Sequence, residues 1–216
     1  EGVDAILVTP VDSGALSTVL AEAKDQGIKV IGYDQECEGV HYDAFVGYSA
    51  YDIGYSFSQM AVDAGVTKGN FVFLYGDSQS GTAVELMKQG MWDCLQSYID
   101  AGDITVVMDQ YCKNWSAEQG LAHTENAIST YGEDIAAIIC MNDGIASGAV
   151  QALTAAGMEN NGIVITGQDC ELTAVQRIIA GTQTATLYKD SDKLAGKVMN
   201  TAVALLKGEP IDAKQN

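Results

Sequence analysis

Eight short apolar runs, each set off from the next by a polar or mixed segment, constrain this chain more than any other feature. They are AILVTP (5–10), KVIGYD (29–34), AFVGYS (44–49), NFVFLYG (70–76), ITVVMDQ (104–110), AAIICMN (136–142), IVITGQD (163–169) and TATLYK (184–189). These runs are too short for helices and rich in β-branched and aromatic residues, so they predict buried strands. Helical spacing of apolar residues marks 13–27, 53–65, 81–100, 116–132, 144–157, 170–181 and 191–208. Ser13 and Ser191 stand where N-caps are expected, and Gly27, Gly65, Gly157, Gly181 and Gly208 where helices should stop. Apolar strands alternating with helices predict an α/β fold with a parallel sheet covered on both faces.

Nearly half of the 216 residues are apolar, enough to bury a real core in one large or two small domains. With 29 acidic and 11 basic residues the formal charge is −18, which argues against nucleic acid as a partner, since phosphate contacts need clustered Lys and Arg. The acidic residues are scattered and read as a solvated surface. No apolar run approaches transmembrane length, and no leader or lipidation motif stands within the chain. The start at Glu1, without a methionine, leaves an upstream leader open. Cys37, Cys94, Cys112, Cys140 and Cys170 form neither a CxxC pair nor a zinc spacing, so they read as structural, and neither metal nor cofactor is expected.

In a doubly wound sheet, ligands bind beyond the carboxyl ends of the strands, where loops and helix N-termini converge. Asp34, Asp109, Asn142, Asp169 and Lys189 all fall at such ends, and Trp115 lies in a loop just past Asp109. Taken singly each reads as a turn or capping residue; in register they read as one rim. Carboxylates accept from neighbouring hydroxyls, an amide gives and accepts, an ammonium donates, and an aromatic face covers the C–H patch of a pyranose. That set suits a sugar better than catalysis. His41 and His123 read as surface residues, and no nucleophile elbow, P-loop or dinucleotide fingerprint is present, so the chain does not read as an enzyme. GDSQSG (76–81) reads as a plain strand-to-helix turn.

At these residues the sequence resembles the type I periplasmic sugar-binding proteins of bacterial ABC transporters, the ribose/D-xylose-binding family. The resemblance is carried by GVDAILVTPVDSGAL…AKDQGIKVIGYD, DQYCKNW, GAVQALTAAG, ITGQD and RIIAGTQTATLYK, and it covers nearly the whole chain. It implies two Rossmann-like domains joined by crossovers and closing on a monosaccharide, with the N-terminal sheet incomplete. Its boundaries would be 1–49 for an N-terminal part, 50–189 for a C-terminal part, 190–207 for a return helix and 208–216 for a final crossover segment. It also implies ligand contacts from Asp34 and Gln35 on the N-terminal side and from Trp115, Asn142 and Asp169 on the C-terminal side. Trp115 would stack on the ring and Lys189 would sit at a crossover.

The expected partners are an aldose such as D-xylose and an ABC permease, the expected state a monomer, and the expected location extracytoplasmic, in the periplasm or as a surface lipoprotein. Gln35 departs from the family's usual Arg, Ser49 and Ala50 from its Asp-Asn, and GDSQSGTA leaves Thr82 a weak candidate. The family's opening strand, helix and second strand have no counterpart here, so the chain reads as a fragment whose N-terminal half folds poorly alone. A sensor ectodomain and the effector domain of a lactose-repressor-type regulator share the fold and remain alternatives. A lipid-attachment Cys behind a signal peptide, or a helix-turn-helix, would separate them.

Overall fold

The computed structural model describes residues 2–159 and 161–211. In chain order the first elements are β1 (Ala5–Val8), α1 (Ser17–Asp25), β2 (Lys29–Tyr33), β3 (Ala44–Val46), α2 (Ala50–Asp63), β4 (Gly69–Tyr75), α3 (Thr82–Asp100) and β5 (Ile104–Tyr111). They are followed by α4 (Ala117–Tyr131), β6 (Ile135–Cys140), α5 (Asp143–Ala155), β7 (Val164–Gln168), α6 (Leu172–Ala180), β8 (Ala185–Leu187) and α7 (Ser191–Lys207). Every apolar run became a strand, and every strand pairing is parallel.

The described residues form two compact units. The first draws on 2–49, 79–83 and 190–211, the second on 50–78, 84–159 and 161–189. The first unit holds a three-stranded sheet in the order β1-β2-β3, with β1 at an edge. Alternate residues of β2 serve its two faces: Val30 packs with Leu20 and Ala23 of α1, and Ile31 with Val198 and Ala202 of α7. Asp43 ties β3 back to β2, accepting from Val30 N–H at 2.9 Å and pairing with Lys29 at 2.9 Å.

The second unit holds a five-stranded sheet in the order β5-β4-β6-β7-β8. β4, between β5 and β6, is covered on both faces. Phe71, Phe73 and Tyr75 point to one layer with Phe57 of α2 and Met91 of α3, while Val72 and Leu74 point to the other with Ala146 and Ala149 of α5. Glycines let the covering helices approach at backbone distance. A Cβ on Gly54 of α2 would stand 1.9 Å from the Met87 carbonyl oxygen, and one on Gly148 of α5 would stand 2.0 Å from that of Ala117.

Two capping expectations need correction. Ser13 is not a helix cap: α1 begins at Ser17, and the Ser13 hydroxyl donates to the Gln79 carbonyl at 3.3 Å. Ser191 lies inside α7, whose cap is Asp190, accepting from Lys193 N–H at 2.8 Å. A full carboxylate one position earlier suits the positive end of the helix better than the hydroxyl does. At the other ends the five glycines named above all adopt positive φ, as helix stops require.

Candidate functional site

Because the sheet of the second unit is wholly parallel, all five strands end on one edge, and each end carries a polar or aromatic residue. In spatial order these are Trp115 past β5, Asp77 past β4, Asn142 past β6, Asp169 past β7 and Lys189 past β8. On the first unit Asp34 and Gln35 follow β2.

Backbone conformation singles out the same places. Among the described residues, the non-glycine positions with positive φ are Asp34 (61°), Asn114 (56°), Trp115 (54°), Asp169 (97°) and Cys170 (52°). Each lies just beyond the carboxyl end of a strand, and three of them are residues the sequence nominates for ligand contact. Such conformations cost roughly 1–3 kcal/mol apiece and persist where the surroundings enforce them, as at ligand clamps.

The enforcing contacts are local. Asn114 N–H donates to the Asp77 carboxylate at 2.5 Å and Trp115 N–H to the Cys112 carbonyl at 2.9 Å, which sets the loop between β5 and α4. Ser116 then caps α4, accepting from Glu118 and Gln119 N–H groups. The half-buried Trp115 indole lies on the backbone of Gly76, where a Cβ would come within 2.2 Å of the ring. Asn142 caps α5 by accepting from Ile145 N–H at 2.7 Å. The exposed Asp169 is fixed through its N–H to the Leu187 carbonyl at 3.0 Å. Asp34 N–H bonds the Val46 carbonyl at 3.1 Å, and Gln35 N–H the Tyr33 carbonyl at 2.7 Å. Lys189 is half-buried beside the exposed Tyr188.

Asp109 does not belong to the rim. It lies two residues short of the end of β5, accepting from the Tyr75 hydroxyl at 3.3 Å, with Lys88 at 3.7 Å. A bulge at Val107, opposite the Phe71/Val72 step of β4, lengthens β5 beyond its periodic run and moves its end to Tyr111. Thr82 opens α3 and is exposed. Sequence reasoning missed Asp77, now buried beneath the Trp115 loop, and left Asp143 without a role although it lies fully buried. The available signals were glycines next to the strand ends, in YGD (75–77) and GQD (167–169).

Cys94, Cys112 and Cys140 face inward. Burial pushes the Cys94 thiol up to about 11 and that of Cys112 up to about 12, and raises Cys140 well above its ordinary value. Among the described residues no group of three or more His, Cys, Asp or Glu side chains is placed to hold a metal ion, and no helix is long and apolar enough to cross a membrane.

A family model described as a periplasmic binding protein domain matches residues 1–210. The chain belongs to that family. It is 37% identical over 208 residues to the D-xylose-binding periplasmic protein of Escherichia coli, covering 96% of this chain and 62% of the relative. The protein of the same description from Haemophilus influenzae is 36% identical over 213 residues, with 99% and 63% covered. The chain thus spans less than two thirds of the length of these two relatives. Among solved structures it resembles an ABC transporter periplasmic solute binding protein from Actinobacillus succinogenes with bound D-allose. The TM-score is 0.86 at 28% identity, covering 97% of this chain and 74% of the other. The fold is therefore the type I fold of such proteins.

Proposed function

We propose that this chain carries the sugar-recognising residues of an extracytoplasmic solute-binding protein. It would take up an aldose, with D-xylose the first candidate, for delivery to an ABC permease. The observation that carries the reading is the convergence of Trp115, Asn142, Asp169 and Lys189 on one sheet edge, two of them in enforced left-handed backbone. Carboxylate, amide and ammonium groups fixed before the ligand arrives lose little entropy on binding hydroxyls, and an indole offers a face to the sugar's C–H bonds. On the first unit, Asp34 and Gln35 are proposed as ligand contacts in their own right. Gln35 supplies a neutral amide, which recognises a hydroxyl but lacks the forked charge of a guanidinium. The names of the two D-xylose-binding relatives support the choice of pentose, and the acidic surface accords with a partner other than nucleic acid.

The test is a thermal-shift and calorimetric panel of D-xylose, D-ribose, D-allose and D-glucose on the full-length gene product. Stabilisation that grows with concentration for one or two sugars supports the proposal. A flat panel from a cooperatively folded protein refutes it.

A further inference from the structure

One buried carboxylate gathers the ends of three strands. Asp143, at the start of α5, accepts from Gln183 Nε2 at 2.9 Å on Oδ1. Its Oδ2 accepts from Thr186 Oγ1 at 2.8 Å and from Glu171 N–H at 3.0 Å. Gln183 is itself buried and accepts from Arg177 Nε at 2.9 Å, while Arg177 Nη2 donates to the Asp143 carbonyl at 3.1 Å. The bonds therefore run one way, from guanidinium through amide to carboxylate. Gly167 leaves room for them, since a Cβ there would stand 2.3 Å from Asp143 Oδ1.

This network ends on the segment that bears Asp169. Crossing from β7 to α6, the chain takes φ values of 97° at Asp169 and 52° at Cys170. Three successive N–H groups pin it there: Asp169 to the Leu187 carbonyl at 3.0 Å, Cys170 to Thr186 Oγ1 at 3.1 Å and Glu171 to Asp143 Oδ2 at 3.0 Å. Thr186 can accept from Cys170 because its own proton is turned toward Asp143. Two of the three pins thus depend on one carboxylate, which also lies next in sequence to Asn142.

We propose that Asp143 is a positioning residue for ligand recognition. Its carboxylate holds Asp169 in a backbone conformation that an L-residue otherwise avoids, and sets it relative to Asn142. This rests on the sugar-binding reading above. An amide cannot substitute. Asparagine offers one acceptor where two oxygens are used, so its NH2 group faces either Gln183 Nε2 or the Glu171 and Thr186 donors. Flipping Gln183 to relieve this sets its nitrogen against Arg177 Nε.

The test pairs peptide-resolved alkylation of Cys170 by N-ethylmaleimide with D-xylose titration, on the full-length protein and its Asp143→Asn variant. Cys170 is the half-buried thiol of the five; the others are buried. The expected result is labelling of Cys170 at least tenfold faster, unchanged protection of Cys112 and Cys140, and a D-xylose Kd raised at least tenfold. Thr186→Val, which keeps the carboxylate but removes the Cys170 acceptor, should shift both readouts the same way by less, and decides the matter if Asp143→Asn does not fold. Unchanged Cys170 labelling overturns the proposal. So does acceleration of all thiols together, which would make Asp143 a residue of general stability, or faster labelling with unchanged affinity. If the parent protein binds none of the sugars in the panel, the sugar reading fails, while the labelling still decides whether Asp143 positions the segment.

Discussion

Gly76→Ala adds one methyl group and should move an indole. An ideal Cβ at this position would stand 2.2, 2.4 and 2.5 Å from three carbons of the Trp115 ring, against an ordinary contact of 3.4–4 Å. Gly76 does not have a positive φ, so the backbone accepts alanine and the whole conflict falls on the ring. The ring must retreat by about 1 Å, and gaps of that size forfeit a quarter to a half of each van der Waals contact they open. Overfilling of this kind costs about 1–3 kcal/mol of stability. A stacking platform displaced by the same amount should weaken sugar binding about tenfold, or ~1.4 kcal/mol. The assay is urea unfolding together with calorimetric titration of D-xylose, with Trp115→Ala as the limit of complete loss. Stability within ~0.3 kcal/mol of the parent would refute the packing argument. A clear loss of stability with affinity unchanged would remove Trp115 from the ligand's path.

Three other outcomes follow from the same structure. Gly148→Ala should destabilise the second unit by about 2–3 kcal/mol, because its Cβ meets the Ala117 carbonyl rather than a movable side chain and outweighs alanine's helix-propensity gain of ~1 kcal/mol; a variant as stable as the parent in urea would contradict this. At pH 8 a maleimide should label Cys170 first, since Cys94 and Cys112 are pushed to about 11 and about 12 by burial and Cys140 is raised well above its ordinary value; native-state labelling of Cys112 at a comparable rate would count against it. Burial alone would lift the Asp43 carboxyl, but the Val30 N–H and the Lys29 and Lys24 ammonium groups outweigh it and hold the carboxyl below its ordinary value. Its stabilisation is therefore present above the unfolded value near ~3.9 and lost as pH falls through the lower folded one. Acid-unfolding curves of the parent and Asp43→Asn should converge below that range; a constant offset at every pH would show that the carboxylate's charge plays no part, and coincident curves that Asp43 contributes nothing.

The order of strands and helices was legible in the sequence because burial imposes a local period. A strand covered on both faces must be apolar along its length, as in NFVFLYG, and a covering helix must repeat every three to four residues, as in α3. Parallel pairing then places every strand's carboxyl end on one edge, so Asn142, Asp169 and Lys189 could be nominated from their distance past an apolar run alone. What the sequence could not contain is whatever depends on residues brought together from far along the chain. Asp109 and Asp143 look alike in sequence, each an acid near a strand end. The first pairs with Phe73 inside a strand that runs on to Tyr111, while Gly167, Gln183 and Thr186, between 24 and 43 positions away, draw the second inward. The Ser13 cap failed for the same reason: Ser13 is claimed by Gln79, a bond across 66 residues that no local window contains. Local period fixes which segments are strands and helices; only the folded chain, by satisfying each buried donor and acceptor from wherever one is near, decides which polar residues face solvent and which hold the others in place.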